Sequence, residues 1–214
     1  MNSVSTMKHV VVEPKVQVAL QEQNTKKAVG ILGGTFNPIH IAHLILAEQV
    51  YSKLNLDEIW FIPDNIPPHV NKKGAIAPRH RVEMIRLAIR DNPHFKVDLT
   101  EIMRGGISYT IDTVKELRRR HPENDFYLIM GGDMISDFKN WKNPHELASL
   151  IKLVGVKRPG YVQLCDFPII WVDAPFMSVS STQIRELLQA GNSVKYLVPQ
   201  GVSEYITKEG LYNG

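Results

Sequence analysis

Short apolar runs alternate with segments of helical periodicity from residue 28 onward. The strand-like runs cover residues 28–32, 58–62, 95–99, 126–130, 152–156 and 169–172. Between and after them, apolar residues recur every three or four positions and predict helices near 41–54, 78–91, 108–121, 181–190 and 199–207. Continuous apolar strands that alternate with helices are typical of a parallel sheet covered on both faces. The pattern predicts a single α/β domain with a doubly wound, mostly parallel sheet.

The first 27 residues lie outside this pattern. Glu13, Pro14 and Lys15 interrupt any apolar core of a signal peptide, and residues 21–27 are all polar. We expect residues 1–27 to form a flexible or loosely docked N-terminal extension and residues 28–214 to form the domain.

Composition narrows the class of protein without defining its function. The 214-residue chain is 43% apolar and 22% charged, which suits a soluble domain with one full core. The single cysteine, Cys165, excludes a disulfide within the chain and favours a reducing cytoplasm. No apolar stretch approaches the roughly 20 residues that span a bilayer, so no membrane partner is predicted.

The net charge of the chain does not identify the class of ligand. The net charge of +3 fits an anionic small ligand as easily as a nucleic acid. The most basic run, Arg118, Arg119 and Arg120, ends a predicted helix, where cations favour the negative end of the helix dipole. A solvated helix end explains this run better than a binding surface does, and no nucleic-acid partner is predicted.

The segment after the first strand carries the strongest chemical signal. Gly33 and Gly34 follow the strand, and Asn37 and Pro38 are expected to cap and start the next helix. α/β proteins hold phosphate with this order of strand, glycine loop and helix start, because glycine permits close approach and the helix offers free N–H groups. The sequence therefore predicts an anion site at the carboxyl ends of the strands, near a switch in strand order.

His40 and His43 fall on one face of the predicted helix start. Two imidazoles beside a phosphate site suggest charge stabilisation on a transferring nucleotide. Zinc is disfavoured, because a helical zinc pair has i, i+4 spacing with a glutamate between the histidines, and neither feature is present. Two satisfied structural histidines are the remaining alternative.

A second motif lies near the end of the chain. Ser180 and Gln183 have the spacing of a capping box, and Ser180, Ser181 and Thr182 place hydroxyls at a helix N-terminus, where anions bind. Arg185 can reach the same anion, because helical side chains lean toward the N-terminus. The alternative is a plain helix start with an exposed arginine.

Together these motifs resemble the nucleotidyltransferase superfamily that carries H-x-G-H and S-S-T-x-x-R motifs, and more closely the bacterial nicotinate-nucleotide adenylyltransferases. The similarity runs in order over about residues 28–212. It is carried by residues 33–40, 67–69, 108–113, 131–134, 141, 158–161, 180–185 and 196–199. The resemblance implies a Rossmann-like fold.

The resemblance also implies the reaction. In that family AMP is transferred from ATP to nicotinate mononucleotide, which gives deamido-NAD and pyrophosphate in NAD biosynthesis. The acceptor phosphate attacks the α-phosphate directly, so positioning and electrostatic stabilisation should supply most of the catalysis. Mg²⁺ is the implied cofactor and arrives with ATP, because the sequence offers no all-protein metal cage. A homodimer or higher homo-oligomer is left open.

Residue roles follow from the same resemblance. His40, His43 and Arg185 are implied to be catalytic. The implied ATP-binding residues are Gly33, Gly34, Thr35, Phe36, His40, His43, Lys72, Arg158, Ser180, Ser181, Thr182 and Arg185. The implied residues for nicotinate mononucleotide are Thr35, Ser108, Tyr109, Thr110, Gly132, Asp133 and Trp141. In this interpretation Trp141 stacks on the pyridine ring, and amides near Thr110 and Trp141 meet the nicotinate carboxylate.

Several of these residues have simpler interpretations. Trp141 fits a half-buried surface tryptophan, Tyr109 fits a packing residue, and Asp133 fits a helix cap. His69 and Lys72 are candidates for closing a proline-rich loop over the triphosphate, with a solvated basic loop as the alternative.

The chain departs from the family pattern at three positions. Ala42 replaces the glycine of the H-x-G-H motif, and we expect activity to survive because alanine is small and favours helix. Gly132 replaces a common alanine. Lys142 follows Trp141 where an aromatic residue is frequent, and the hypothesis is that this cation favours nicotinate over nicotinamide.

Three other classes compete with this interpretation. A sister adenylyltransferase would act on nicotinamide mononucleotide or phosphopantetheine, and residues 108–110 with Trp141 disfavour the latter. A non-catalytic nucleotide sensor is disfavoured by the intact histidine pair and arginine. A dehydrogenase is disfavoured because Gly30, Gly33 and Gly34 lack the G-x-G-x-x-G spacing.

Overall fold

In the computed structural model, the described residues are 26–68, 75–157 and 165–213, and they form one six-stranded parallel sheet with helices on both faces. The strands are β1 (Lys27–Gly34), β2 (Glu58–Pro63), β3 (Phe95–Val97), β4 (Asn124–Gly131), β5 (Lys152–Val156) and β6 (Ile169–Val172). The helices are α1 (Ile41–Lys53), α2 (Pro78–Ile89), α3 (Thr100–Arg104), α4 (Thr110–Arg120), α5 (Gly132–Asp137), α6 (Pro144–Leu150), α7 (Ser181–Gln189) and α8 (Gln200–Lys208). The predicted fold class is confirmed.

The strand order places a binding crevice between β1 and β4. The order across the sheet is β3-β2-β1-β4-β5-β6, so the direction of winding reverses at the β1–β4 pair. These strands pair in parallel, with Ile31 opposite Leu128. In open α/β sheets, ligands bind outside the carboxyl ends of the strands at this reversal. The glycines that end β1 lie at that point.

Each face of the sheet has its own apolar core. Because side chains alternate along a strand, Leu32 of β1 packs on the side of α1, α2, α7 and α8, while Ile31 packs on the side of α4, α5 and α6. Burial on both faces explains why the strands read as unbroken apolar runs.

Three short helices were not predicted. α3, α5 and α6 contain five to seven residues each, which is too short for a helical period to stand out. α3 also ends the third strand earlier than predicted, at Val97 instead of residue 99. The Asp98 carboxylate accepts a hydrogen bond from the Thr100 N–H (2.8 Å) and turns the chain into α3.

The apolar periodicity placed the start of α1 correctly, but the predicted cap at Asn37 is wrong. The helix begins at Ile41 with His40 at the N-cap, and the Asn37–Pro38 peptide, which is cis, precedes it. Instead of capping α1, the Asn37 side-chain oxygen accepts a hydrogen bond from the Tyr212 hydroxyl (2.7 Å). The Ile41 N–H donates to the Leu197 carbonyl oxygen (2.9 Å), so a distant segment completes the helix start.

Two of the three arginines at the end of α4 form hydrogen bonds within the protein. Arg118 donates to the Leu150 carbonyl oxygen (2.7 Å), and Arg120 donates to the Thr100 hydroxyl (2.8 Å).

Within the described segments, no helix is long and apolar enough to cross a membrane. The predicted extension lies outside the described residues except for Lys26 and Lys27, and the second of these begins β1.

Candidate active site

The glycine loop leaves open space beside its backbone. A Cβ added to Gly33 would meet no atom within 4 Å, whereas one on Gly34 would lie 3.3 Å from the Phe36 ring. Gly33 therefore provides room for a ligand to approach the main chain. Phe36 is 2% exposed as a whole residue, and its ring packs against His43 with ring centroids 5.1 Å apart, so Phe36 supports the site from the core.

His40 and His43 are stacked at the start of α1. Their ring centroids lie 3.7 Å apart, and the His40 backbone N–H donates to His43 Nδ1 (3.2 Å). Because Nδ1 accepts this bond, neutral His43 carries its hydrogen on Nε2. Burial lowers the pKa of His40 to about 4, and burial together with the nearby His40 lowers the pKa of His43 well below 6.5. Near pH 7 both rings are neutral, and His43 presents a hydrogen-bond donor at Nε2.

The second motif starts a helix as predicted. α7 begins at Ser181, and the Ser180 hydroxyl accepts a hydrogen bond from the Gln183 N–H (3.2 Å). Ser180 and Thr182 are exposed, while Ser181 and Arg185 are half-buried. The predicted N-cap is confirmed.

α7 is joined directly to the glycine loop. The Ser181 hydroxyl donates to the Pro38 carbonyl oxygen (2.8 Å), and Arg185 Nη1 donates to the Asn37 carbonyl oxygen (2.8 Å). The fold thus brings together the two predicted motifs from opposite ends of the chain. An arginine has five N–H donors, so Arg185 can hold this loop and also contact an anion.

A cavity of about 180 Å³ opens beside the glycine loop on the α4 side of the sheet. Six predicted site residues line it: Gly33, Gly34, Ser108, Tyr109, Thr110 and Trp141. Thr110 is the first residue of α4, so the positive end of that helix lies at the cavity. The Trp141 ring is half-buried and lies 5.3 Å from the Phe138 ring, centroid to centroid. This cavity suits a flat heterocycle with an anionic substituent.

Three residues predicted for the same ligand do not line this cavity. The Thr35 hydroxyl donates to the Asp64 carboxylate (2.6 Å). Gly132 and Asp133 begin α5 directly after β4, with Gly132 buried and Asp133 exposed. Lys72 and Arg158, and the lid candidate His69, lie outside the described residues.

A second, smaller pocket of about 50 Å³ lies on the opposite face, beside α1. It is lined by Ala42, Leu46, Gly131, Val156, Lys157 and residues 174–177. Ala42, the departure from the H-x-G-H pattern, therefore faces this pocket. The stacked histidines flank Ala42 in sequence.

The sequence interpretation missed a buried ion pair beneath the site. Arg81 is 1% exposed and donates to the Asp64 carboxylate (3.2 Å), the Asp64 carbonyl oxygen (2.7 Å) and the Thr35 carbonyl oxygen (2.8 Å). Burial raises the pKa of Asp64 and lowers that of Arg81, while their attraction opposes both changes. A signal was present, because Arg81 lies one helical turn before Ile85 on the apolar face of α2.

Glu101 is a second acidic residue that the sequence did not indicate. It lies in the unpredicted helix α3, lines the cavity and accepts a hydrogen bond from the Thr113 hydroxyl (2.7 Å). Burial raises the pKa of the Glu101 carboxyl.

Among the described residues, no group of three or more histidine, cysteine, aspartate or glutamate residues is arranged to hold a metal ion. Mg²⁺ prefers carboxylate, phosphate and water oxygens, and the Asp64 carboxylate beside the glycine loop already binds Thr35 and Arg81. This donor set fits an ion that is carried by a nucleotide.

The fold and this site define an α/β nucleotide-binding protein, with helix N-termini and basic groups at the reversal of strand order. A model of the cytidylyltransferase-like family matches residues 31–187. A probable nicotinate-nucleotide adenylyltransferase of Lactiplantibacillus plantarum is 50% identical over 186 residues, which cover 87% of this chain and 88% of that protein. A protein of the same description from Enterococcus faecalis is 45% identical over 199 residues, which cover 91% of each chain.

Solved structures share the fold. The nicotinic acid mononucleotide adenylyltransferase of Plasmodium falciparum, solved with NaAD, superposes with a TM-score of 0.72 at 24% identity, covering 87% of this chain and 97% of that chain. The sequence relationships show that the chain belongs to the cytidylyltransferase-like family and, within it, to the nicotinate-nucleotide adenylyltransferases.

Proposed function

We propose that this protein transfers AMP from ATP to nicotinate mononucleotide, forming deamido-NAD and releasing pyrophosphate in NAD biosynthesis. One observation carries the proposal: the glycine loop opens on the cavity lined by Trp141, while α7 is hydrogen-bonded to the same loop next to the stacked histidines. Such an arrangement can place two nucleotides with their phosphates facing each other. The single cysteine in the sequence accords with a cytoplasmic location, which we also propose.

On the ATP side, the adenine occupies the pocket beside Ala42, and the phosphates extend along the start of α1. His43 Nε2–H donates to a phosphate oxygen and stabilises the charge that develops there. Ser180, Ser181 and Arg185 hold the β- and γ-phosphates at the N-terminus of α7. Lys72 and Arg158 remain predicted phosphate contacts.

On the acceptor side, the pyridine ring stacks on Trp141 and its carboxylate meets the amides at the start of α4. An oxygen of the acceptor phosphate attacks the α-phosphorus of ATP, and the bond to the bridging oxygen breaks as pyrophosphate leaves. Because the reactants are held in line, this transfer needs no covalent enzyme intermediate. The proposed cofactor, Mg²⁺, supplies charge neutralisation of the triphosphate with which it binds.

Pyrophosphate release from ATP and Mg²⁺ tests the function. Separate reactions with nicotinate mononucleotide, nicotinamide mononucleotide and phosphopantetheine should show rapid release with the first only. Release only with the amide moves the assignment to the sister activity. Absence of release with every acceptor contradicts the enzyme assignment.

Lys142 is predicted to contribute to selection of the acid over the amide. Lys142 Nζ lies 4.3 Å from the centroid of the Tyr109 ring and 2.9 Å from the Asp112 carboxylate, and the residue lines the acceptor cavity. Nicotinate carries a negative charge that nicotinamide lacks. Lys142→Ala should therefore lower the acid-to-amide ratio of kcat/KM about fivefold, a size suited to a partly screened charge.

The matched control is Lys115→Ala on the same side of the sheet. Lys115 pairs with Glu146 (2.6 Å) and is not among the residues that line the cavity. Its removal should leave the ratio unchanged. An equal ratio in wild type and Lys142→Ala contradicts the role of Lys142.

A further inference from the structure

The end of the chain returns to the glycine loop. After α8, Gly210 and Tyr212 have positive φ angles of 61° and 65°, and the backbone turns back toward the sheet. The Tyr212 hydroxyl then donates to the Asn37 side-chain oxygen at 2.7 Å, across 175 positions of sequence. Asn37 is only 5% exposed, so this hydrogen bond is sheltered from water. Neither the motifs nor the reaction proposed above assigns a role to Tyr212.

The groups around Tyr212 are those that hold the site. Arg185 donates to the carbonyl oxygen of the same Asn37, and both Arg185 and Arg81 interact electrostatically with the tyrosine. Burial raises the pKa of Tyr212 above its ordinary value of 10 despite these cations. The hydroxyl therefore stays protonated at physiological pH and acts as a donor.

The loop from Thr35 to Pro38 is held from several directions. Its carbonyl oxygens accept hydrogen bonds from Arg81 of α2 and from Ser181 and Arg185 of α7. Tyr212 instead fixes the side chain of Asn37. The Ile76 N–H also approaches that side-chain oxygen, at the longer distance of 3.4 Å. The tyrosine thus makes the shorter of these two contacts to the Asn37 side chain.

We propose that Tyr212 is a positioning residue for the nucleotide triphosphate. Its hydroxyl orients Asn37, and the Asn37 carbonyl in turn holds the Arg185 guanidinium that faces the phosphates. The identity of the nucleotide rests on the proposed function, whereas the chain of contacts from Tyr212 to Arg185 does not.

Tyr205 provides a matched control from the same end of the chain. It lies in α8, and its hydroxyl is 2.9 Å from His80 Nδ1, away from the glycine loop. Tyr212→Phe and Tyr205→Phe each remove one hydrogen-bonded hydroxyl. Of these two variants, only Tyr212→Phe should weaken the binding of ATP.

The measurements are binding of a non-hydrolysable ATP analogue, kcat and KM for both substrates, and the melting temperature. For Tyr212→Phe we expect analogue affinity and kcat/KM for ATP to fall about five- to tenfold, as for loss of one hydrogen bond. The KM for nicotinate mononucleotide and the melting temperature should match those of Tyr205→Phe. An unchanged analogue affinity overturns the proposal, and so does an equal loss for both substrates together with a lower melting temperature.

A double-mutant cycle with Arg185→Ala isolates the coupling. If Tyr212 acts through Asn37 and Arg185, adding Tyr212→Phe to Arg185→Ala should cause little further loss of analogue affinity. Fully additive losses contradict the proposal. If the wild type binds the analogue but transfers no AMP, the proposed reaction fails while the role of Tyr212 is still tested by binding. If the wild type forms deamido-NAD and Tyr212→Phe behaves like Tyr205→Phe, only the role of Tyr212 fails.

Discussion

Replacement of His43 by asparagine is expected to lower kcat about 100- to 1000-fold, the usual cost of losing one donor to transition-state charge. The asparagine side-chain oxygen can take the position of Nδ1 and accept the hydrogen bond from the His40 N–H, which is 3.2 Å long in the native protein. The start of α1 is then preserved while the Nε2 donor is lost. Steady-state kinetics with melting temperatures separates these effects.

Two further variants sharpen this prediction. His43→Gln places an N–H near the position of Nε2 and should recover part of the activity. His94→Asn is the control, because His94 is exposed and stacks on Tyr51, with ring centroids 4.6 Å apart. Near-normal turnover of His43→Asn would refute the assigned role.

Replacement of Arg81 by methionine is expected to lower the free energy of unfolding by about 3–5 kcal/mol. The change leaves the buried Asp64 carboxylate without its cation and frees the carbonyl oxygen of Thr35. Denaturant unfolding at neutral pH measures the loss. Arg86→Met on the same helix is the control and should change stability by less than about 1 kcal/mol, because its pair with Glu83 is solvent-exposed.

The loss should also depend on pH. Without Arg81, burial still raises the pKa of Asp64 and only the hydrogen bond from the Thr35 hydroxyl opposes it, so this pKa lies further above the unfolded-state value. A folded state with a raised carboxyl pKa binds the proton more tightly than the unfolded state, so lowering the pH from 7.5 to 5 should reduce the difference from wild type. An equal difference at both pH values would show that the Asp64 charge is not the cause.

The sequence predicted the sheet well because the strands of a doubly wound fold are buried on both faces and therefore consist of continuous apolar runs. All six strands were predicted within two residues of their observed ends. The predicted cap of α1 was wrong because local residue types favoured Asn37, whereas Tyr212, from the other end of the chain, binds the Asn37 side chain. Contacts between distant segments leave no local pattern.

The candidate site was predictable where a motif carried the signal. His40, His43, Ser181 and Arg185 are brought together, and the residues at the start of α4 line one cavity with Trp141. The supporting residues were not predictable in the same way. Arg81 appears as one cation on an apolar helix face, and its partner Asp64 follows another strand.

Selective transfer of AMP to nicotinate mononucleotide can be measured in a single competition reaction. The protein is incubated with ATP, Mg²⁺ and equal concentrations of nicotinate and nicotinamide mononucleotides, and both dinucleotide products are quantified by mass spectrometry at low conversion. At equal concentrations, the product ratio equals the ratio of the two kcat/KM values. Deamido-NAD should predominate, whereas formation of mainly NAD, or of neither dinucleotide, would refute selective transfer to the acid.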